Sequence, residues 1–211
     1  MRTLVIAMSA IALMATVASS GTDGPLDPGT NRTWSLAQIT PGQRLEIRLE
    51  TGAGLRIMAW DKNEISVVSD LGEDRCPDAR IALTRTADGA KLESIYPGHD
   101  EVIVHNCSLE IDVRVPRHFD VKLWSAGGSV QVSNLRGTVS GTTGGGKIVI
   151  DQMKGEVRLG TGGGAIRVSN SDLDGHLSTG GGGISFDNVA GPVTASSGSK
   201  PGVVRGKTRT T

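Results

Sequence analysis

An 18-residue repeat in the second half of the chain restricts the possible folds more than any other feature of the sequence. Apolar residues recur at this spacing at two positions of the unit, and a glycine recurs at a third. The series are Val130, Ile148, Ile166 and Ile184; Val132, Ile150, Val168 and Phe186; and Gly128, Gly146, Gly164 and Gly182. A fixed period is the signature of stacked structural units, so we expect each series to form one column.

Within each unit, apolar and polar side chains alternate, as in residues 156–159 and 165–169. Alternation with a period of two indicates β-strands, and one unit holds two short ones joined by glycine-rich corners. Two short strands cannot bury an apolar face alone, whereas stacked units bury a continuous core. The sequence therefore predicts an all-β, single-chain β-solenoid of parallel stacked coils, with about 18 residues per coil, an apolar core ladder and structural glycines at the corners.

A further apolar series runs through the other strand of the unit. Val121, Val139 and Val157 keep the 18-residue spacing, and Leu177 continues it with a shift of two residues. The shift indicates a local two-residue insertion near Ser171. The last unit is short and polar, which predicts that the chain either continues past residue 211 or ends in an irregular cap.

The repeat extends, in diverged form, into the first half of the chain. Residues 45–68 resemble a first coil, and the solenoid domain is predicted to span residues 44–211, with glycine-rich repeats at 121–206. Between them, residues 70–116 are predicted to form an excursion that contains a β-hairpin turning at Asp88 and Gly89. Residues 21–43 contain three prolines and are predicted to be a linker. Trp60 and Trp124 are expected to pack as core or cap anchors.

Residues 1–20 have the features of a secretory signal peptide. Arg2 precedes an uncharged apolar run at residues 4–17, and the small residues Ala18, Ser19 and Ser20 follow it. The run is too short to span a bilayer, and no other stretch is long and apolar enough to do so. We therefore expect an exported protein, periplasmic or at the cell surface.

Export determines the expected state of the two cysteines, Cys76 and Cys107. An oxidising compartment favours a disulfide between them. The alternative is a metal site formed by both cysteines with His99 and His105, although no CxxC or HxxxH pair is present. The disulfide is the preferred prediction.

Motifs that carry chemistry in other proteins are incomplete here. Residues 141–148 approach a phosphate-binding loop, but Ile148 stands where Ser or Thr would hold magnesium. The corners lack the aspartates of calcium-binding repeats, and calcium near Asp172, Asp174 and Asp187 remains an unspecific alternative. The charge is balanced, with 22 basic and 22 acidic residues, which gives no reason to expect nucleic acid. We predict no catalytic, cofactor-binding or metal-binding residues.

Several segments together resemble a bacterial family, the putative adhesin domain of unknown function of exported envelope proteins. The resemblance lies in residues 55–67 (LRIMAWDKNEISV), residues 111–116 (IDVRVP) and the glycine-rich repeats from Val121, and it covers about residues 44–198. It implies a β-solenoid with no established enzymatic activity.

The expected function is therefore that of a non-catalytic, adhesin-like structural or binding module of the cell envelope. Its expected partner is a polysaccharide or another envelope protein, since extended repeat faces suit long ligands. Two alternatives stay open. One is a carbohydrate-active enzyme that uses Asp172 or Asp187, and the other is a surface protein that self-associates through the open end of the solenoid.

Overall fold

The computed structural model describes residues 32–70, 80–95 and 109–198, and all regular elements in them are β-strands. The predicted all-β class is confirmed. In the same residues, no helix is long and apolar enough to cross a membrane. The strands are β1 (Arg32–Ala37), β2 (Arg44–Leu49), β3 (Gly54–Trp60), β4 (Glu64–Asp70), β5 (Arg80–Thr86), β6 (Gly89–Ile95), β7 (Glu110–Pro116), β8 (Asp120–Ser125), β9 (Val130–Ser133), β10 (Arg136–Thr143), β11 (Ile148–Asp151), β12 (Lys154–Thr161), β13 (Ile166–Thr179), β14 (Ile184–Ala190) and β15 (Val193–Ser197).

All of these strands belong to one sheet that folds back on itself through its longest strand, β13. The first part of β13 pairs with β11 and β14, and its second part pairs with β12 and β15. One half of the sheet contains β7, β3, β9 and β11, and the other contains β6, β2, β8, β10 and β12. The apolar side chains of both halves form a single buried cluster.

From β8 onward, neighbouring strands pair in parallel, and paired residues are separated by one repeat of the sequence. Val130 lies beside Ile148, Ile148 beside Ile166, and Ile166 beside Ile184. Val132, Ile150, Val168 and Phe186 form the adjacent column in the same register. All eight side chains are at most 4% exposed, so like side chains pack on like side chains and the columns carry much of the apolar burial.

The predicted two-residue shift at Leu177 is wrong. Leu177 pairs with Leu159, and Gly175 takes the place beside Val157. The register of the repeat therefore continues without an insertion. The error arose because Gly175 takes the place of Val157 in this lap, a lap being one repeat of the sequence. The sequence therefore shows no apolar residue at that position.

The strands of the first half join the sheet in both directions. β2 and β3 pair in parallel with β8 and β9, as expected for a diverged first unit. In contrast, β4 is antiparallel to β7 and to β1, and β5 is antiparallel to β6. The Arg85 guanidinium donates hydrogen bonds to the carbonyls of Ala37 and Gln38 and so connects β5 to the end of β1.

The predicted β-solenoid of parallel stacked coils is therefore wrong, because the described residues form one mixed sheet. The pattern of buried and exposed residues has period two in parallel and antiparallel strands alike, so it does not encode strand direction. Residues 32–37, inside the predicted linker, form β1, which corrects that prediction. The predicted hairpin is present as β5 and β6, but β6 and β7 return to the sheet rather than forming a separate excursion.

The predictions for the signal peptide, the cysteines and their histidine neighbours are not tested, whereas those for the tryptophans are. The signal peptide at 1–20, Cys76, Cys107, His99 and His105 lie outside the described residues. Trp60 is half-buried and donates its indole N–H to the carbonyl of Glu64 at 2.8 Å. Trp124 remains 45% exposed, so the packing prediction is wrong for this side chain.

The four predicted structural glycines allow successive laps to approach each other closely. A Cβ built at Gly146 would lie 1.7 Å from the carbonyl oxygen of Gly128, and one at Gly164 would lie 2.1 Å from that of Gly146. Gly128 and Gly182 face comparable clashes, whereas Gly145 faces open space. The periodic glycines are therefore required by backbone contact between laps rather than by chain flexibility.

Next to these glycines, a column of buried hydroxyl groups closes the corner. Thr161 Oγ1 donates to the carbonyl of Gly146 at 2.8 Å and accepts a hydrogen bond from the Gly164 N–H at 3.2 Å. Thr143 and Thr179 donate to the equivalent glycine carbonyls. Each hydroxyl satisfies a backbone group that the turn leaves without a strand partner.

Candidate functional site

The second corner of the repeat is formed by amide side chains that the sequence analysis missed. Asn134, Gln152, Asn170 and Asn188 recur once in each repeat and all adopt a left-handed backbone, with φ between 49° and 59°. Asn134 follows β9 and Gln152 follows β11, whereas Asn170 and Asn188 lie within β13 and β14. Asparagine tolerates this conformation better than other non-glycine residues. We call these four residues the amide corner; its recurrence is visible in the sequence and was the available signal.

Hydrogen bonds orient two side chains of the amide corner, those of Asn170 and Asn188. Asn188 Nδ2 donates to Asn170 Oδ1 at 3.0 Å, and Asn170 Nδ2 donates to Asp151 Oδ1 at the same distance. Ser169 Oγ donates to the same Asp151 oxygen at 2.7 Å. These bonds hold the side chains in defined orientations while leaving Asn170 and Asn188 exposed at the surface.

An open groove of about 440 Å³ runs along the amide corner across successive laps. Met153 and Val189 lie beneath it and are buried, at 1% and 9% exposed. Its other side is formed by residues that pair in register on successive strands, namely Arg136, Lys154, Asp172 and Ala190. Because neighbouring strands are about 4.8 Å apart, the groove offers amides and charged groups at a regular spacing.

Three cations line the groove, and their surroundings differ. Arg117 makes two hydrogen bonds to the Asp61 carboxylate, at 2.8 and 3.0 Å. These hydrogen bonds and the charge of Arg117 lower the pKa of Asp61. Lys154 lies 3.3 Å from Asp172. For Arg136, no carboxylate among the described residues is within ion-pair distance, so its exposed guanidinium keeps all its donors for a ligand.

Asp187 lies apart from the other carboxylates considered for catalysis or calcium, Asp172 and Asp174, which alternate on the exposed face of β13. Asp172 is engaged with Lys154, whereas Asp187 pairs in register with Ser169 on a different part of β13. Over residues 32–70, 80–95 and 109–198, the structure shows no group of three or more His, Cys, Asp or Glu side chains placed to hold a metal ion. His176, exposed, lies within hydrogen-bond distance of Thr194 and Ser196.

The structure thus defines an all-β repeat protein with a solvent-facing polar groove. No protein-family model and no curated protein matches the chain. Among solved structures, it is similar to a putative cell adhesion protein from Clostridium sporogenes ATCC 15579, with 15% identity and a TM-score of 0.38 over 77% of this chain and 73% of that chain.

Two other solved structures are also named as adhesins. The chain is 11% identical to a putative adhesin from Parabacteroides merdae ATCC 43184, with a TM-score of 0.28 over 85% of this chain and 95% of that chain. For a putative adhesin from Parabacteroides distasonis ATCC 8503, the identity is 10% and the TM-score 0.33, over 85% of this chain and 96% of that chain. The structural neighbours thus include bacterial proteins named as adhesins.

Proposed function

We propose that this protein is a non-catalytic, adhesin-like binding module of the cell envelope, exported to the periplasm or the cell surface, and that it binds an extended polysaccharide along the groove beside the amide corner. The observation that carries the proposal is the amide side chain that recurs once in each repeat along the groove, beside the cations Arg136 and Lys154. A repeating polar surface of this kind matches a ligand that is itself a chain of repeating polar units.

The groove has the chemistry that recognition of a polyhydroxylated chain requires. Amide groups both donate and accept hydrogen bonds, so each can bind a hydroxyl group in either role. Arg136, Lys154 and Arg117 add donors along one side. Since the strands beneath are bonded to neighbours in the sheet, the site is organised before binding, which reduces the entropy lost on association.

A retention assay on insoluble cell-wall and extracellular polysaccharide preparations tests this function. We expect the wild-type protein to be retained and Arg136→Gln to weaken binding about tenfold or more, because a hydrogen bond to a charged group contributes roughly 1.5–3 kcal/mol. Arg136 is exposed, so the thermal unfolding temperature of the variant should match that of the wild type.

Arg167→Gln is the matched control. Arg167 is also an exposed arginine of the repeat, but it lies on the outward face of β13 and does not line the groove. It should leave retention unchanged. No retention on any preparation, or equal losses for the two variants, would show that the groove is not the binding site.

A further inference from the structure

Trp124 lies on the outward face of β8, between the buried residues Leu123 and Ser125. It is 45% exposed, whereas Trp34 and Trp60 are half-buried. Its backbone is paired on both sides, with β2 and with β10. The exposed indole therefore stands on a rigid part of the sheet rather than on a loop.

Arg48 holds the indole from the β2 side. It is the register partner of Trp124, and its guanidinium carbon lies 5.2 Å from the centre of the ring. Arg48 Nε also donates to Glu50 Oε1 at 3.2 Å, which orients the guanidinium. A cation over the face of an indole is attracted by the ring quadrupole, so the contact restricts the orientations available to Trp124.

On the other side of Trp124, the register partners on successive strands are all small. They are Thr142 on β10, Gly160 on β12, Ser178 on β13 and Ser196 on β15. We call Trp124 and these four residues the tryptophan shelf. With strands about 4.8 Å apart, the small residues extend roughly 15–20 Å from the ring. The shelf is therefore a surface of short side chains, several of them hydroxylated, and an aromatic ring bounds it at one end.

This combination distinguishes between possible ligands. A protein partner needs a contiguous apolar patch at the centre of its interface, whereas the shelf has one aromatic ring followed by hydroxyl groups. A sugar ring has a face of C–H groups that packs on an indole and a rim of hydroxyl groups that bonds to Ser and Thr. The shelf side chains beyond Trp124 are uncharged, which matches a neutral ligand.

We propose that the tryptophan shelf is a second binding site, separate from the groove, that takes a neutral oligosaccharide. One sugar ring stacks on Trp124, and the following rings lie over Thr142 and Gly160 toward Ser178. Gly160 is buried between its register partners Thr142 and Ser178, so a side chain at this position would rise between them onto the shelf. A Cβ there would lie 3.0 Å from Ser178 Oγ and 3.6 Å from Thr142 Cγ2, a contact that a serine side chain relieves by rotating.

Tryptophan fluorescence of the protein, titrated with cellotetraose, chitotetraose and mannotetraose, tests the shelf. We expect at least one of these neutral probes to change the emission of the wild type saturably. Trp124→Ala should abolish the change, and Gly160→Leu, which retains all three tryptophans, should weaken the apparent affinity about tenfold or more. Trp60→Phe is the aromatic control and should leave the saturable change in place.

The same titration separates this site from the groove. Arg136→Gln should bind the oligosaccharides as the wild type does, even if it loses retention on polysaccharide. The proposal is overturned if no probe produces a saturable change in the wild type, or if Trp124→Ala and Gly160→Leu bind the probe with wild-type affinity in isothermal titration calorimetry. Neither result bears on the groove, which is tested by Arg136.

Discussion

The repeat region, residues 120–198, and the closing region, formed by residues 32–70, 80–95 and 109–116, use the same kind of strand in different ways. In the repeat region each strand pairs in parallel with the strand one lap away, and paired residues are always one repeat apart. In the closing region β1, β4 and β5 each pair antiparallel with a neighbour, and β1 and β4 lie at one end of the strand order while β5 lies at the other.

The difference concerns the exposed edges of a stacked sheet. An uncovered parallel lap exposes unpaired backbone groups, which invite association with other chains. At the closing end, the antiparallel strands β4 and β5 pair with the outer edges of β7 and β6 and cover them. At the other end, β14 and β15 each pair on one side only within the described part of the chain. A periodic sequence can thus propagate a sheet, but a non-periodic one is needed to end it.

The largest expected effect on stability comes from one core substitution in each of the two regions. Ile150→Ala in the repeat region and Leu92→Ala in the closing region each remove a side chain that is 0% exposed. Each should lower the free energy of unfolding by about 2–5 kcal/mol, because the cavity adds to the lost apolar burial. Chemical denaturation monitored by circular dichroism measures both.

Since the buried residues of both regions form one cluster, each variant should shift a single cooperative transition. Val149→Ala, on the half-buried outward face beside Ile150, is the control and should change stability much less. Two separate transitions, with each substitution moving only one of them, would show that the regions fold independently and would break the comparison.

An intermediate effect concerns the contact between laps. Gly146→Ala places a Cβ against the carbonyl of Gly128 and should cost about 1–3 kcal/mol, since the backbone must shift to relieve the overlap. Gly145→Ala is the adjacent control, because its Cβ would meet nothing within 4 Å. Comparing the thermal unfolding of the two variants separates the effect of backbone contact between laps from the effect of glycine flexibility. Equal destabilisation by the two would mean that flexibility, and not contact, is what the repeat requires.

The smallest expected effect is a pH dependence at the closing region. The bonds from Arg117 lower the pKa of Asp61 in the folded protein relative to the unfolded chain. The stabilisation from this carboxylate is therefore present above its unfolded pKa and is lost as the pH falls through the folded value. Asp61→Asn should lower the unfolding temperature slightly at about pH 7 and not at about pH 2. Because the pair is exposed, the shift should be the smallest of the three; a difference that grows toward acid would contradict the assignment.

Much of the repeat region followed from particular residues. The spacing of Val130, Ile148 and Ile166 predicted both the strands and their neighbours. In stacked strands, the residues that face the core must recur once in each repeat of the sequence. The prediction failed at Leu177, where Gly175 replaced an apolar residue in the column. The amide corner was equally periodic, but a polar residue at a turn has no burial signature and was overlooked.

The candidate sites were less accessible to sequence analysis. Arg136 and Lys154 are neighbours only because strands from successive repeats pair, and nothing local to either residue marks the groove. Trp124 was expected to be buried because large aromatic residues usually are. Its exposure follows from its place in the alternation of β8, which directs Leu123 inward and the residues on either side outward.

By itself, the sequence determined the all-β class, the register of the repeat from β8 onward except at Leu177, and the positions where laps must touch through glycine. Each of these depends on a property of single residues, apolar burial or the lack of a Cβ, repeated at a fixed spacing. The tertiary structure alone decided the direction of β1, β4 and β5, the return of β6 and β7 to the sheet, and the alignment of side chains into a groove and a shelf. Strand direction and side-chain neighbours depend on which distant segments pair, and period-two alternation is the same for either direction of pairing.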